Sequence, residues 1–149
     1  MKTSKIKWTK EKKGTMPQDA FQGGQEANGS SLYVARASYG GGVQIGKMRK
    51  DWQSAAIPYG GKENWVDEYE IFVGAGVWVP AAAGVIPRNA MPAGQEANGE
   101  ILYVARANYG GGMHIGKIKA GWKAAMIPYG GREVPVSQYE VLIEDSKEL

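Results

Sequence analysis

Short segments in which polar and apolar residues alternate recur along the chain, and this pattern predicts β-strands rather than helices. Residues 5–10 alternate in this way, and residues 76–79 repeat the arrangement further along. The clearest strand segments are residues 32–37 and 102–107, each preceded by Asn-Gly and followed by three glycines. Asn-Gly favours tight turns because both residues tolerate a positive φ. We therefore expect an all-β fold built from antiparallel sheets.

Further segments complete this prediction. Residues 69–73 and 139–143 are mostly apolar and are expected to be strands. Residues 51–56 and 121–126 are each cut short by Ile-Pro-Tyr-Gly-Gly, so we interpret them as turns or short strands. Residues 80–84 are expected to form a loop.

The same pattern occurs twice. From Gly24 the chain reads GQEANGSSLYVARASYGGGVQIGK, and from Gly94 it reads GQEANGEILYVARANYGGGMHIGK, without insertion or deletion. A fixed internal period of about seventy residues indicates a repeat architecture. We predict a single all-β domain over residues 1–149, made of repeat one (4–73), repeat two (74–143) and a short charged tail (144–149).

A β unit of this size has exposed strand edges and one uncovered face. Two such units must cover each other to bury a continuous core. We therefore expect the repeats to interlock about a pseudo-twofold axis.

Composition excludes several kinds of site. The chain has no Cys and one His, His114, which stands where repeat one has Gln44. Disulfides and thiolate metal sites are thereby excluded, zinc catalysis and His-based triads have almost no residues to use, and we expect no metal or cofactor. The simplest interpretation of His114 is an exposed replacement of Gln44.

Charge and hydropathy define the expected partners and compartment. The net charge of +3 is largely due to six lysines within the first thirteen residues, which we interpret as a solvated arm. No nucleic acid partner is expected. No segment is apolar enough for a membrane span, and no secretory h-region follows the N-terminus. We expect a protein that is cytoplasmic or released without a conventional signal peptide, with no membrane insertion by this chain alone.

Four polar positions recur in register beside turns. A carboxylate accepts hydrogen bonds, an ammonium donates them and an amide does both, which is the set of groups needed to hold sugar hydroxyls. Aromatic side chains beside the same loops could cover the apolar face of a sugar ring. The polar pairs are Glu26 and Glu96, Asn28 and Asn98, Lys47 and Lys117, and Glu63 and Glu133; the aromatic candidates are Tyr39, Tyr59, Trp52, Tyr109, Tyr129 and Trp122.

Other interpretations of these residues remain open. Glu26 and Lys47 could form a surface ion pair of little energetic value. The aromatic residues could serve core packing, and Glu26 with Glu63 could be a glycosidase-like carboxylate pair. Arg36 and its counterpart Arg106 are expected to be structural arginines, paired with Glu70 or Glu140.

The motifs GQEANG, LYVARA, IGK after the glycine triplet, IPYGG and the closing Tyr-Glu strand resemble the DM-nine repeat, which occurs in tandem in small lectins and beside pore-forming regions in natterin-like proteins. The resemblance covers nearly the whole chain. It implies an all-β fold of two intertwined repeats, a homodimer and recognition of mannose-type glycans. It also implies that an acidic residue and the Lys of IGK hold the sugar, at Glu26 and Lys47 and at Glu96 and Lys117.

Together these observations predict a lectin without enzymatic activity, with one sugar site per repeat and binding strengthened by avidity. Secondary site residues are Asn28, Asn98, Tyr39, Tyr109, Glu63 and Glu133. Mannose-binding members carry the shorter Asp where this chain has Glu, so the resemblance leaves the exact sugar open. The alternatives are a scaffold protein that binds no sugar, or an accessory module of a pore-forming natterin-like system.

Overall fold

A computed structural model describes residues 6–144. The seven strands of repeat one are β1 (Lys7–Lys12), β2 (Gln22–Gln25), β3 (Ser31–Tyr39), β4 (Gly42–Met48), β5 (Ala55–Tyr59), β6 (Lys62–Val66) and β7 (Glu68–Val73). Those of repeat two are β8 (Val77–Ala82), β9 (Pro92–Gln95), β10 (Ile101–Tyr109), β11 (Gly112–Ile118), β12 (Ala125–Tyr129), β13 (Arg132–Val136) and β14 (Gln138–Ile143). Each strand of repeat two lies seventy residues beyond its counterpart, and all pairings are antiparallel.

The predicted all-β fold with two repeats is confirmed, and two local predictions are corrected. Residues 80–82 belong to strand β8, and the turn begins at Ala83 and Gly84, which both have positive φ. The lysine-rich segment is not a free arm from Lys7 onward, because β1 pairs with β7 along its whole length. Residues 1–5 and 145–149, including most of the predicted tail, lie outside the described residues.

The repeats interlock because strands of one pair with strands of the other. Gln25 of β2 pairs with Met113 of β11, and Val43 of β4 pairs with Gln95 of β9. A third pairing joins β6 to β13 at the tips of their hairpins. Each repeat thus completes the sheet of its partner, as the repeat architecture predicts.

The central core lies between the repeats and takes side chains from both. Fully buried residues of repeat one pack against their counterparts of repeat two, and partly buried tryptophans close the edges. The core residues include Leu32, Val34, Ile45, Phe72, Leu102, Val104, Ile115 and Leu142.

The expected arginine pairs are present and also link the repeats. The Arg36 guanidinium donates to Glu70 at 2.7 Å and, across the repeat boundary, to the Ala93 carbonyl at 3.0 Å. Arg106 makes the equivalent contact with Glu140 at 2.7 Å and donates to the Gly23 carbonyl at 2.8 Å. These residues therefore serve the fold, as predicted.

One glycine brings the site-bearing strand close to its neighbour. Gly46 lies on β4 beside Lys47, and a Cβ atom there would collide with the Ala56 carbonyl of β5. Gly116 holds the same position against Met126 in repeat two. Glycine is required here because the backbones approach too closely for a side chain.

Candidate ligand-binding sites between the repeats

Lys47 and Lys117, the lysines of the two IGK motifs, are buried, each with about 2% of its surface exposed. Their positions beside turns predict exposed side chains, and that prediction is wrong for both lysines. Strand β4 pairs with β3, β5 and β9, and β11 pairs with β10, β12 and β2, so each is an inner strand with one neighbour from the other repeat. Buried lysines are rare unless they have partners, so their surroundings decide their role.

Two clusters, here called site one and site two, surround these lysines. Site one consists of Lys47, Glu26, Glu63 and Arg49 from repeat one with His114 and Tyr129 from repeat two. Site two consists of Lys117, Glu96, Glu133, Lys119 and Trp122 from repeat two with Gln44 and Tyr59 from repeat one. Both sites are therefore built by both repeats.

In site one the Lys47 ammonium contacts an imidazole of the other repeat. Lys47 Nζ lies 2.9 Å from His114 Nδ1 and 5.5 Å from the centre of the Tyr129 ring. Burial lowers the pKa of Lys47 to about 8, although the negative charges of Glu63 and Glu26 oppose the shift. The lysine is therefore mostly charged at pH 7, in a place where a charge is poorly solvated.

His114 is fully buried, so the prediction of an exposed replacement is wrong. Burial, and secondarily the charge of Lys47, lowers its pKa to about 4, which leaves the ring neutral at pH 7. Nδ1 faces an ammonium and must accept a hydrogen bond, which assigns the proton to Nε2. Within the described part of the chain, Nε2 has no hydrogen-bonding partner.

The acidic residue of site one is held by an arginine of the same repeat. Arg49 Nη1 donates to Glu26 Oε2 at 3.0 Å, while Asp51 holds the rest of the guanidinium at 2.6 and 2.9 Å. Glu26 is thus paired with Arg49, and the surface ion pair considered for Glu26 and Lys47 is not formed. About 18% of the Glu26 side chain remains exposed.

In site two the partner of the lysine is an amide. Lys117 Nζ donates to Gln44 Oε1 at 2.6 Å and lies 3.4 Å from Glu133 Oε2. Gln44 Nε2 then donates to Glu96 Oε1 at 3.0 Å. Burial also lowers the pKa of Lys117, against the attraction of Glu133 and Glu96.

The secondary candidates divide into two groups. Asn28 and Asn98 shape exposed turns, each accepting a hydrogen bond from the backbone two residues on, and they contact neither lysine. Tyr39 and Tyr109 pack against Tyr59 and Tyr129 at about 5 Å between ring centres, so each supports the site of the other repeat.

Glu63 and Glu133 link the two Tyr-Gly-Gly hairpins as well as facing the lysines. Glu63 Oε1 accepts the Gly131 N–H at 2.9 Å, and Glu133 Oε1 accepts the Gly61 N–H at 2.9 Å. Glu63 also acts on the charge of Lys47 together with Glu26, and Glu133 acts on that of Lys117 together with Glu96. Both glutamates act as positioning groups at the pseudo-twofold axis.

Comparison with known proteins agrees with this architecture. The DM9 repeat matches residues 1–66 and 48–136, which together cover most of the chain. The chain belongs to the DM9 repeat family. Membership supports a carbohydrate-binding module and, with the all-β fold, indicates a non-catalytic one. No curated protein matches the chain.

A solved structure shows the same fold within a longer chain. The nematode sperm cell motility protein MFP2B superposes with a TM-score of 0.70 over 98% of this chain, at 17% sequence identity. The chain spans about half of that protein, 48% of its length. At this identity the likeness establishes the fold alone.

The sequence predicted both lysines and both acidic residues as site residues, and the structure brings each lysine together with the acid of its own repeat. It gave no site role to His114 and Gln44, which contact the two lysines. Gln44 and His114 were visible as polar residues inside otherwise apolar strands, at the same position of both repeats. Their burial followed from pairing between repeats, which no local pattern encodes. Among the described residues, no three acidic or His side chains are grouped to hold a metal ion, and no helix could cross a membrane.

A large cavity lies away from both sites. It is an open groove of about 1080 Å³ beside β1 and β7, lined by charged residues such as Lys10, Asp67 and Glu68. The corresponding groove of repeat two, at Gln138, encloses only about 170 Å³. The groove recurs in repeat two only in a much smaller form, whereas both repeats contain a buried lysine cluster, so the lysine sites are the better candidates.

Proposed function

We propose that this DM9 repeat protein is a carbohydrate-binding module that recognises mannose-type sugars at the lysine-centred sites. The observation that carries the proposal is the burial of a mostly charged lysine beside carboxylates that do not pair with it. In the described part of the chain, the Lys47 ammonium has His114 as its only hydrogen-bonding partner. Perturbed, incompletely paired charges of this kind mark functional sites.

The chemistry of the site suits vicinal hydroxyl groups. The Lys47 ammonium can donate a hydrogen bond to a hydroxyl oxygen. The Glu26 carboxylate can accept a hydrogen bond from the same hydroxyl or from its neighbour. Hydrogen bonds to charged groups contribute about 1.5–3 kcal/mol each. The family resemblance of the motifs supports mannose-type sugars in particular.

The longer Glu in place of Asp bears on which sugar is preferred. We propose that Glu26 reaches its hydroxyl across the extra methylene because its hydrogen bond to Arg49 fixes the carboxylate. Shortening it to Asp would weaken the contact with Arg49 and move the oxygens away from the ligand. Glu26→Asp shortens the side chain and keeps its charge, whereas Glu26→Gln keeps the length and removes the charge. Comparing sugar binding by the two variants separates the effect of length from that of charge.

Weak single sites become useful when several are linked. Linked sites can exceed the affinity of one site by about 10²–10⁴ when their geometry permits simultaneous binding. A homodimer would supply such linkage, and it stays a proposal here.

A glycan array tests the proposal. We expect binding to mannose-containing glycans that Lys47→Met abolishes and that Lys123→Met, a change at an exposed lysine, preserves. Absence of binding to every glycan would refute the proposal and favour the scaffold alternative. Turnover of an aryl glycoside would instead indicate an enzyme.

A further inference from the structure

The two sites differ at one position, which each repeat supplies to the other. Site one receives His114, and site two receives Gln44. Both side chains are fully buried. Because each of these side chains is buried against a lysine, it determines how many N–H groups of the ammonium remain for a ligand.

Gln44 bridges the two groups that a sugar hydroxyl would bridge. Its carbonyl oxygen accepts from Lys117 at 2.6 Å, and its NH₂ group donates to Glu96 at 3.0 Å. A hydroxyl in the same place would likewise accept from the ammonium and donate to the carboxylate. The reversed amide would set an NH₂ group against an ammonium, so the orientation is fixed by charge.

Other contacts close site two further. Lys117 also lies 3.4 Å from Glu133, and Glu96 lies 3.5 Å from Lys119. The lysine and the acid of this site are therefore both engaged within the protein. A ligand would have to displace the amide before it could bind.

His114 makes no such bridge in site one. Its Nδ1 contacts Lys47, and its other nitrogen has no partner in the described part of the chain. Glu26 is held by Arg49 on a separate contact. Two N–H groups of Lys47 therefore remain for a ligand, as does an acceptor position on Glu26.

We propose that Gln44 acts as an internal substitute for the ligand and closes site two, so that each chain binds one monosaccharide, at site one. The inference rests on the proposed sugar-binding function and changes the expectation of one working site per repeat. It makes residue 44, rather than the lysine or the acid, the determinant of affinity in site two.

Methyl α-mannoside titrations test the inference when both sites are observed separately. Lysine side-chain NMR signals of the full chain would report Lys47 and Lys117 individually. We expect Lys47 to respond at a concentration at least tenfold lower than Lys117 in the wild type. Gln44→Met, which keeps the bulk but cannot bridge, and Gln44→His, which copies site one, should bring the response of Lys117 to within about threefold of Lys47. Equal responses in the wild type would overturn the inference and leave the proposed function intact.

A second measurement does not depend on sugar. Reductive methylation with formaldehyde, followed by mass spectrometry, reports how accessible each amine is. Lys47 and Lys117 are equally buried, so the difference between them reflects their partners. We expect Lys117 to react several-fold more slowly than Lys47 and to accelerate several-fold in both Gln44 variants. An unchanged Lys117 rate in variants that remain folded would overturn the closure. Acceleration without any sugar response would support closure and refute the proposed function.

Discussion

Replacing Lys47 with Met should remove ligand binding without destabilising the fold. The pKa of Lys47 falls from 10.5 to about 8 on folding, chiefly because of burial. One pKa unit corresponds to 1.36 kcal/mol, so the charged lysine costs about 3 kcal/mol at pH 7. Methionine has a similar length and no charge, so the substitution removes this cost.

The substitution also leaves His114 Nδ1 without its donor. An unpaired buried acceptor costs about 1–3 kcal/mol. The expected net change is therefore between zero and about 2 kcal/mol in favour of the folded state. In a chain of this size about 1 kcal/mol shifts Tm by roughly 2–4 °C, so Tm should stay constant or rise by up to about 8 °C. Lys47→Ala should be less stable than Lys47→Met, because truncating a buried side chain of this size costs about 2–5 kcal/mol.

Urea unfolding at pH 7, paired with glycan binding, measures both effects on the same samples. The reasoning requires a Met variant that is at least as stable as the wild type and no longer binds. A Met variant destabilised by more than about 1 kcal/mol would show that Lys47 serves the fold. A Met variant that still binds sugar would remove Lys47 from the site.

Three further predictions follow from the fold and the buried histidine. The pKa of His114 is lowered from 6.5 to about 4 in the folded state, so its contribution to stability is present above pH 6.5 and is lost as the pH falls through 4. Urea unfolding should show that the free energy of unfolding falls less over this pH range in His114→Gln than in the wild type. Equal losses in the two proteins would contradict the assignment. Gly46→Ala should destabilise the protein much more than Gly60→Ala. A Cβ at residue 46 would collide with the Ala56 carbonyl, whereas a Cβ at residue 60 would meet open space and be disfavoured only by the positive φ. Equal shifts in Tm for the two variants would argue against the close approach of β4 and β5. The fragment 1–73 should not fold alone, since its strands complete the sheet of the other repeat; a cooperative thermal transition of a monomeric fragment would disprove this.

Much of the fold could be predicted from local patterns. The Asn-Gly turns before residues 32–37 and 102–107 and the glycine triplets after them marked these strands. The constant seventy-residue spacing gave the second repeat the strand bounds of the first. The interlocking arrangement followed from the need of each repeat to cover its open face. The strands and the repeat arrangement depend on local sequence patterns and on internal repetition, and both can be read from one sequence.

The composition of the sites could not be predicted in the same way. The pairing of Val43 with Gln95 brings residue 44 against Lys117, although the two are far apart in sequence. The sequence of β4 does not predict that Lys47 is buried, because the residues that bury it belong to the other repeat. Burial of Lys47 and the buried state of His114 were therefore misjudged for one common reason.

The central claim is that the contact between repeats forms a sugar site at Lys47. A crystal structure of the full chain with methyl α-mannoside tests it most directly. We predict a sugar with one hydroxyl accepting from Lys47 Nζ and a hydroxyl donating to the Glu26 carboxylate, with Gln44 still bridging Lys117 and Glu96. A sugar bound elsewhere with site one empty, or no bound sugar at saturating concentration, would contradict the account.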